Sequence, residues 1–210
     1  MQSDIIVRHL GLRDYESVWH EMQQFTEQRD ENTADEIWLL EHPPVFTLGL
    51  NGKHEHILDA GNNPVIQCDR GGQVTYHSPG QLIVYLLLDL KRHNLGVKQL
   101  VNKMEQAVID LLADSGIEGN RRDKAPGIYI DESKIAALGL RVRRGCSYHG
   151  LSLNIDMDIE PFTRINPCGF PDLQAIQLKD LSPSATIQVT GAALLKQLVK
   201  QLETQLDATE

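Results

Sequence analysis

Residues 82–88 read Leu-Ile-Val-Tyr-Leu-Leu-Leu, seven apolar side chains without a break. A bilayer-spanning helix needs about 20 such residues, so this run is far too short to cross a membrane. It has the length of a strand, and strand-like segments recur along the chain. Ile5-Ile6-Val7 is a first strand, and Ile37-Trp38-Leu39-Leu40 a buried one. His42-Pro43-Pro44 ends the latter, because proline cannot donate to a ladder and forces an extended corner before Val45–Gly49. Ile128-Tyr129-Ile130 and Ile135–Val142 flank Asp131-Glu132-Ser133, which suits a hairpin turn, and Tyr148–Ile155 continues the sheet.

Helical periodicity falls between these strands. Tyr15, Val18, Met22 and Phe25 predict an amphipathic helix from Asp14 to about Arg29. Leu100, Val101, Met104, Val108, Leu111 and Leu112 predict a long helix that stops at Gly116, their stripe being core. A third helix is expected from Thr190, as N-cap, to about Leu206. Gly49 to Asn63 reads as a solvated surface loop. Its Lys53, His54 and His56 find no third ligand at a convincing spacing, so no metal site is expected. No linker, repeat or low-complexity stretch divides the 210 residues, and one α/β or α+β domain spanning 1–210 is expected.

The net charge of −9 argues against broad nucleic-acid binding, which needs a basic face. Three widely spaced cysteines, Cys68, Cys146 and Cys168, do not form a disulfide framework, and a reducing cytoplasm is expected. Met1-Gln2-Ser3-Asp4 starts no signal peptide.

The chemistry concentrates between Lys134 and Gly169. At a reference pKa of ~8.5 a thiol is only about 3% thiolate at neutral pH. An ammonium ~4 Å away, at an effective dielectric of ~20, contributes about 4 kcal/mol, or roughly three pKa units. One lysine therefore suffices to activate a cysteine. Cys168 sits in Asn166-Pro167-Cys168-Gly169, where proline stiffens the loop and glycine leaves room for a carbonyl. Cys146 follows Arg143-Arg144-Gly145, and those cations also favour thiolate, so it stays a rival that loop context ranks second. Cys68, in a β-patterned run, reads as a buried apolar residue. Thr75-Tyr76-His77-Ser78 and Ser147-Tyr148-His149-Gly150 repeat one pattern, and two such strands side by side would present both histidines to one pocket.

Arg70–His77, Pro79-Gly80-Gln81, Lys134–Arg141, Tyr148–Leu151 and Asn166–Gly169 together resemble the octanoyltransferases of lipoate biosynthesis, over roughly Trp38 to Leu178. The resemblance implies a mixed β-sheet flanked by helices, as in the catalytic domains of biotin and lipoate protein ligases. It implies transfer of octanoyl from octanoyl-acyl carrier protein to a lysine of lipoyl domains, those of 2-oxoacid dehydrogenases and of glycine cleavage H protein. No cofactor is implied. By motif match Cys168 is the acyl-thioester residue and Lys134 lowers its pKa. Arg70, Gly71, Gly72, Gln73, Val74, Thr75, Tyr76 and His77 fall on the family's substrate-binding segments. So do Ala137, Leu138 and Gly139, with His149, Gly150, Leu151 and Ser152. The family usually carries glycine where Ser78 stands and often proline where Leu86 follows Tyr85.

Under this reading the histidines shape the substrate site. Backbone amides near Cys168 or in the Gly71-Gly72 turn are candidate oxyanion donors. Arg121, Arg122, Lys124, Arg141, Arg143 and Arg144 form an expected docking face for acidic partners. The rivals are an ATP-dependent ligase of similar fold, which needs no nucleophilic cysteine, and a non-catalytic binding module on the same scaffold.

Overall fold

The structure is a computed structural model that describes residues 5–123, 125–167 and 173–203. In chain order it begins with strand β1 (Ile6–Leu12), helix α1 (Tyr15–Gln28), and strands β2 (Glu36–Glu41) and β3 (Val45–Leu48). Strands β4 (Val65–Gln67), β5 (Val74–His77) and β6 (Gln81–Leu87) follow, then helix α2 (Val97–Ala113). Strands β7 (Gly127–Ile130), β8 (Ser133–Arg143) and β9 (Cys146–Asn154) lead to helix α3 (Ile187–Glu203). Six strands form a mixed sheet in the order β1-β2-β6-β9-β8-β7, and a second sheet has the order β4-β3-β5. Only β1 and β2 run parallel in the large sheet.

The apolar run is continuous because β6 is buried on both faces. Leu82, Val84 and Leu86 pack with Leu100 and Met104 of α2 and Leu194 of α3. Ile83, Tyr85 and Leu87 point the other way, onto Val18 and Met22 of α1. Strand periodicity of two, with helices on both sides, leaves no polar position between 82 and 87. Each such side chain contributes about 1.5–3 kcal/mol on burial, which is why the sheet centre, not its edges, carries the stability.

Helix α1 matches its sequence pattern closely. The Asp14 carboxylate accepts the Ser17 N–H at 2.9 Å, and Arg29 closes the other end. Helix α2 stops at Ala113, and Gly116 takes a left-handed φ of 72° just beyond. Helix α3 corrects the expected cap. It starts at Ile187, and Thr190 is a buried interior residue. Thr186 takes the capping role, its hydroxyl accepting the Val189 N–H at 3.3 Å. The apolar stripe that includes Leu194 extends back to Ile187, the first residue of the helix. Its expected end at Leu206 lies outside the described residues.

The stretch from Gly49 to Asn63 is less free than its composition suggests. It carries a single 3-10 turn, His54–His56. The His56 carbonyl accepts the Asn166 N–H at 2.8 Å, and Ile57 bridges Ile165. This segment thus braces the chain that leads to Cys168.

Candidate active site

Lys134 reaches its position through a bulge. Ile128 pairs with Ala136 but Tyr129 pairs with Lys134, so β8 has one extra residue, Ile135, against β7. Ile135 and Ala136 both belong to the helix-side core, and Lys134 is thereby turned to the opposite face with Ala137 and Gly139, lining a pocket. Its ammonium donates to the Pro126 carbonyl at 3.2 Å and lies 5.2 Å from the Tyr129 ring centroid. Its backbone is held as well. Lys134 N–H donates to Gln174 O at 2.8 Å and Lys134 O accepts from Ile176 N–H at 3.1 Å. The turn carrying Pro126 is fixed by buried Glu105 of α2, whose carboxylate accepts the Gly127 N–H at 3.2 Å and Arg121 Nε at 2.9 Å.

Arg70 is a brace. It is 8% exposed, and its guanidinium donates to the Thr47 carbonyl and hydroxyl and to the carbonyls of Gly71 and Gln73. The Gly71 N–H is taken by Leu140 O at 2.9 Å. This removes Gly71 from the candidate oxyanion donors, because β8 has already claimed it. From Thr47 the bonding continues inward. The Thr47 hydroxyl meets His77 Nε2 at 3.3 Å, and His77 Nδ1–H donates to Gln81 Oε1 at 2.7 Å. Gln81 donates to Asn154 Oδ1 at 2.9 Å, and Asn154 to the Ile176 carbonyl at 3.0 Å. The relay runs from the Gly-Gly turn to the segment that holds Lys134.

His77 and His149 line one pocket, as their shared pattern suggested, although their strands are not neighbours: β5 lies in the small sheet and β9 in the large one. Burial lowers the His77 pKa to about 3 and that of His42 to about 4. His42 Nδ1–H donates to Arg13 O, and the Tyr85 hydroxyl meets its Nε2, both at 2.7 Å. These rings are neutral at physiological pH.

Arg70, Gly72, Gln73, Val74 and Thr75 also line this pocket, with Ala137, Leu138, Gly139, Gly150, Leu151 and Ser152. Tyr76 does not; it packs on Phe46 and Phe162 in the small-sheet core. Cys168 and Lys124 lie outside the described residues. Pro167 and Leu173, on either side of residues 168–172, both line the pocket with Lys134. Cys146, in β9, is buried, and burial pushes its thiol pKa up. Cys68 is buried as expected. Ser78 is buried and has no left-handed φ, so the position needs no glycine. Leu86 is a core residue of β6.

The expected basic face is largely paired within the chain. Arg121 meets Glu105, Arg122 meets Glu132, and Arg143 meets Glu27 at 2.7 Å. Arg144 donates to the Glu27 carbonyl at 2.7 Å. Sequence reasoning missed Tyr15, His42, Tyr85 and Asp69 around this pocket. Asp69 adjoins Arg70, but a single acidic residue before a glycine turn carries no distinguishing signal.

Residues 14–199 match the model of the lipoyl protein ligase A/B catalytic domain. The chain belongs to that family. An octanoyltransferase of Shewanella pealeana is 58% identical over 196 residues, covering 93% of this chain and 90% of the relative. The octanoyltransferase of Shewanella piezotolerans is 54% identical over 202 residues, covering 96% and 92%. With relatives of this identity, the chain is an acyltransferase. A crystal structure of lipoate-protein ligase A bound with ATP superposes with a TM-score of 0.78 at 13% identity, covering 96% of this chain and 86% of that one. Biotin protein ligase from Aquifex aeolicus in complex with biotin and ATP gives 0.58 at 12% identity, covering 95% and 70%. These two establish the shared fold. Among the described residues no helix is long and apolar enough to cross a membrane.

Proposed function

We propose that this chain transfers octanoyl from the thioester of acyl carrier protein to the lysine amine of a lipoyl domain, through a thioester on Cys168. The carrying observation is that Lys134 and Pro167 line one pocket. Cys168 follows Pro167 by one peptide bond, so its Cα is about 3.8 Å from that of a pocket residue. Lys134 favours the thiolate by charge. The thiolate attacks the donor carbonyl, forming one C–S bond while the carrier's C–S bond breaks; the Lys134 ammonium gives its proton to the departing sulfur, so the carrier leaves as thiol and Lys134 is left neutral. The acceptor amine then attacks the acyl-cysteine, its proton passes to neutral Lys134, and Cys168 departs as thiolate. Thioester exchange is nearly neutral and amide formation is downhill, so neither step needs ATP. The whole chain acts as one catalytic unit, and its sparse cysteines suit a reducing cytoplasm. The acceptors are lipoyl domains of 2-oxoacid dehydrogenases and of glycine cleavage H protein.

Incubation with an octanoyl thioester and intact-mass measurement tests this reading. Wild type and Cys146→Ser gain one octanoyl group, and Cys168→Ser gains none. Survival of the adduct in Cys168→Ser with loss in Cys146→Ser moves the nucleophile to β9. A strict ATP requirement for transfer to a lipoyl domain supports the ligase reading instead.

A further inference from the structure

Among the described non-glycine residues that line the pocket, His149 alone has a left-handed backbone. It has a φ of 59° inside β9, where flanking residues are extended, and it is neither glycine nor asparagine. The turn aims its ring at the face where Tyr85 lies, with centroids 5.9 Å apart, and stacks it on Tyr148 at 5.1 Å. One carboxylate holds it there. Asp69 accepts His149 Nε2–H at 3.0 Å, Trp19 Nε1–H at 2.7 Å, Gln23 Nε2–H at 3.2 Å and the Tyr148 hydroxyl. Four donors from α1 and β9 converge on a residue that immediately precedes the Arg70-Gly-Gly turn. Its carboxylate pKa is well below the usual range despite burial, chiefly through the His149 and Tyr148 hydrogen bonds. His149 Nδ1 is buried without a partner among the described residues. With Nε2 donating to Asp69, Nδ1 carries the lone pair.

Position along the sheet says what this ring does. Lys134 stands at the start of β8 and His149 pairs with Leu140, six residues farther along (140 − 134). At ~3.3 Å per residue the two ends lie roughly 20 Å apart along the strands. That sets the His149 ring well away from the Lys134 end of the pocket. The reach of the Lys134 side chain and an extended eight-carbon acyl group cover most of this span, so the far end of the chain arrives at the His149 ring. Next to it, Gly150 lies so close to the neighbouring strand that a Cβ would meet the Val84 carbonyl oxygen at 2.0 Å.

We propose that Asp69 is a positioning residue that sets acyl chain length by pinning the His149 ring at the far end of the pocket. This rests on the acyl-transfer reading above and adds to it the residue that limits the substrate. Freed from Asp69, the ring relaxes from its left-handed seat and longer chains enter.

Two measurements test this. In wild type, 15N NMR of His149 without any acyl donor shows the Nε2–H tautomer with Nδ1 unprotonated; the opposite tautomer overturns the proposal. This arm stands whether or not an acyl group forms on Cys168, and it needs no variant to fold. In Asp69→Ala, which removes the acceptor, kcat/KM is measured for hexanoyl to dodecanoyl pantetheine thioesters. The preference for octanoyl over dodecanoyl falls about tenfold, chiefly through KM, as expected when a pocket wall recedes by a few methylenes. A uniform loss across all chain lengths, with the ratio unmoved, overturns the proposal and leaves Asp69 a structural residue.

Discussion

Gly127 and the end of Lys134 share a space that admits no further atom. A Cβ at 127 would stand 3.0 Å from Lys134 Cε and 3.2 Å from Nζ. The same glycine has a φ of 143°, open to glycine and strained for other residues, and its N–H is held by Glu105. The ammonium is confined between this backbone, the Pro126 carbonyl and the Tyr129 ring.

Gly127→Ala should therefore displace the ammonium and strain the turn. We expect a stability loss of about 1–3 kcal/mol from the backbone and at least tenfold lower kcat/KM from the misplaced charge. Urea unfolding and turnover separate the two. Full turnover with only lowered stability would mean that Lys134 needs no such confinement.

If Lys134 activates Cys168 as proposed, Lys134→Met should raise the pH at which Cys168 is alkylated, because the cation is gone. The pH dependence of Cys168 alkylation, followed by mass spectrometry, reads this directly. An unmoved titration removes Lys134 as the activating cation.

Arg70→Lys tests the brace. A planar fork that donates to Thr47, Gly71 and Gln73 cannot be replaced by a point charge with three donors. Loss of about 2–4 kcal/mol is expected, with buried carbonyls left unpaired. The KM for a small thioester donor should rise as the Gly-Gly turn loosens. Near-wild-type melting and KM would contradict the bracing role.

Acid should weaken the protein well before its carboxylates titrate. His77 and His42, held near 3 and 4 by burial, stay neutral in the native chain while unfolded histidines protonate near 6.5. Below that pH the unfolded state binds more protons, so stability falls as pH falls, by about 1.4 kcal/mol per unit for each ring. The contribution is complete above pH ~6.5. Denaturant unfolding at pH 7.5 and pH 5 should differ by about 4 kcal/mol from these two rings. Equal midpoints would show that they are not kept neutral.

Local pattern carried much of the fold. Tyr15, Val18, Met22 and Phe25 are one face of α1, and Asp14 is its cap, because those features lie within a few residues of each other. Thr190 misled because a capping hydroxyl and a buried helical threonine look alike until the preceding apolar residue, Ile187, is known to pack. The shared Tyr-His pattern led to one pocket, but which sheet each strand joins depends on contacts across the whole chain. Asp69 was illegible for the same reason: its partners are 50, 46, 79 and 80 residues away.

The two backbone hydrogen bonds between Lys134 and residues 174 and 176 fasten the chain that follows Cys168 to β8. Along the chain 34 residues separate Lys134 from Cys168 (168 − 134), but only six separate Cys168 from Gln174 (174 − 168). Closing a loop of n residues costs about (3/2)RT ln n, so shortening the tether from 34 to six is worth roughly 1.5 kcal/mol. That is about a tenfold higher effective concentration of thiol at the ammonium. On the proposed reading, the strand that orients the lysine also shortens the tether to the cysteine, so folding of β8 raises the chance that the pair meets before any substrate arrives.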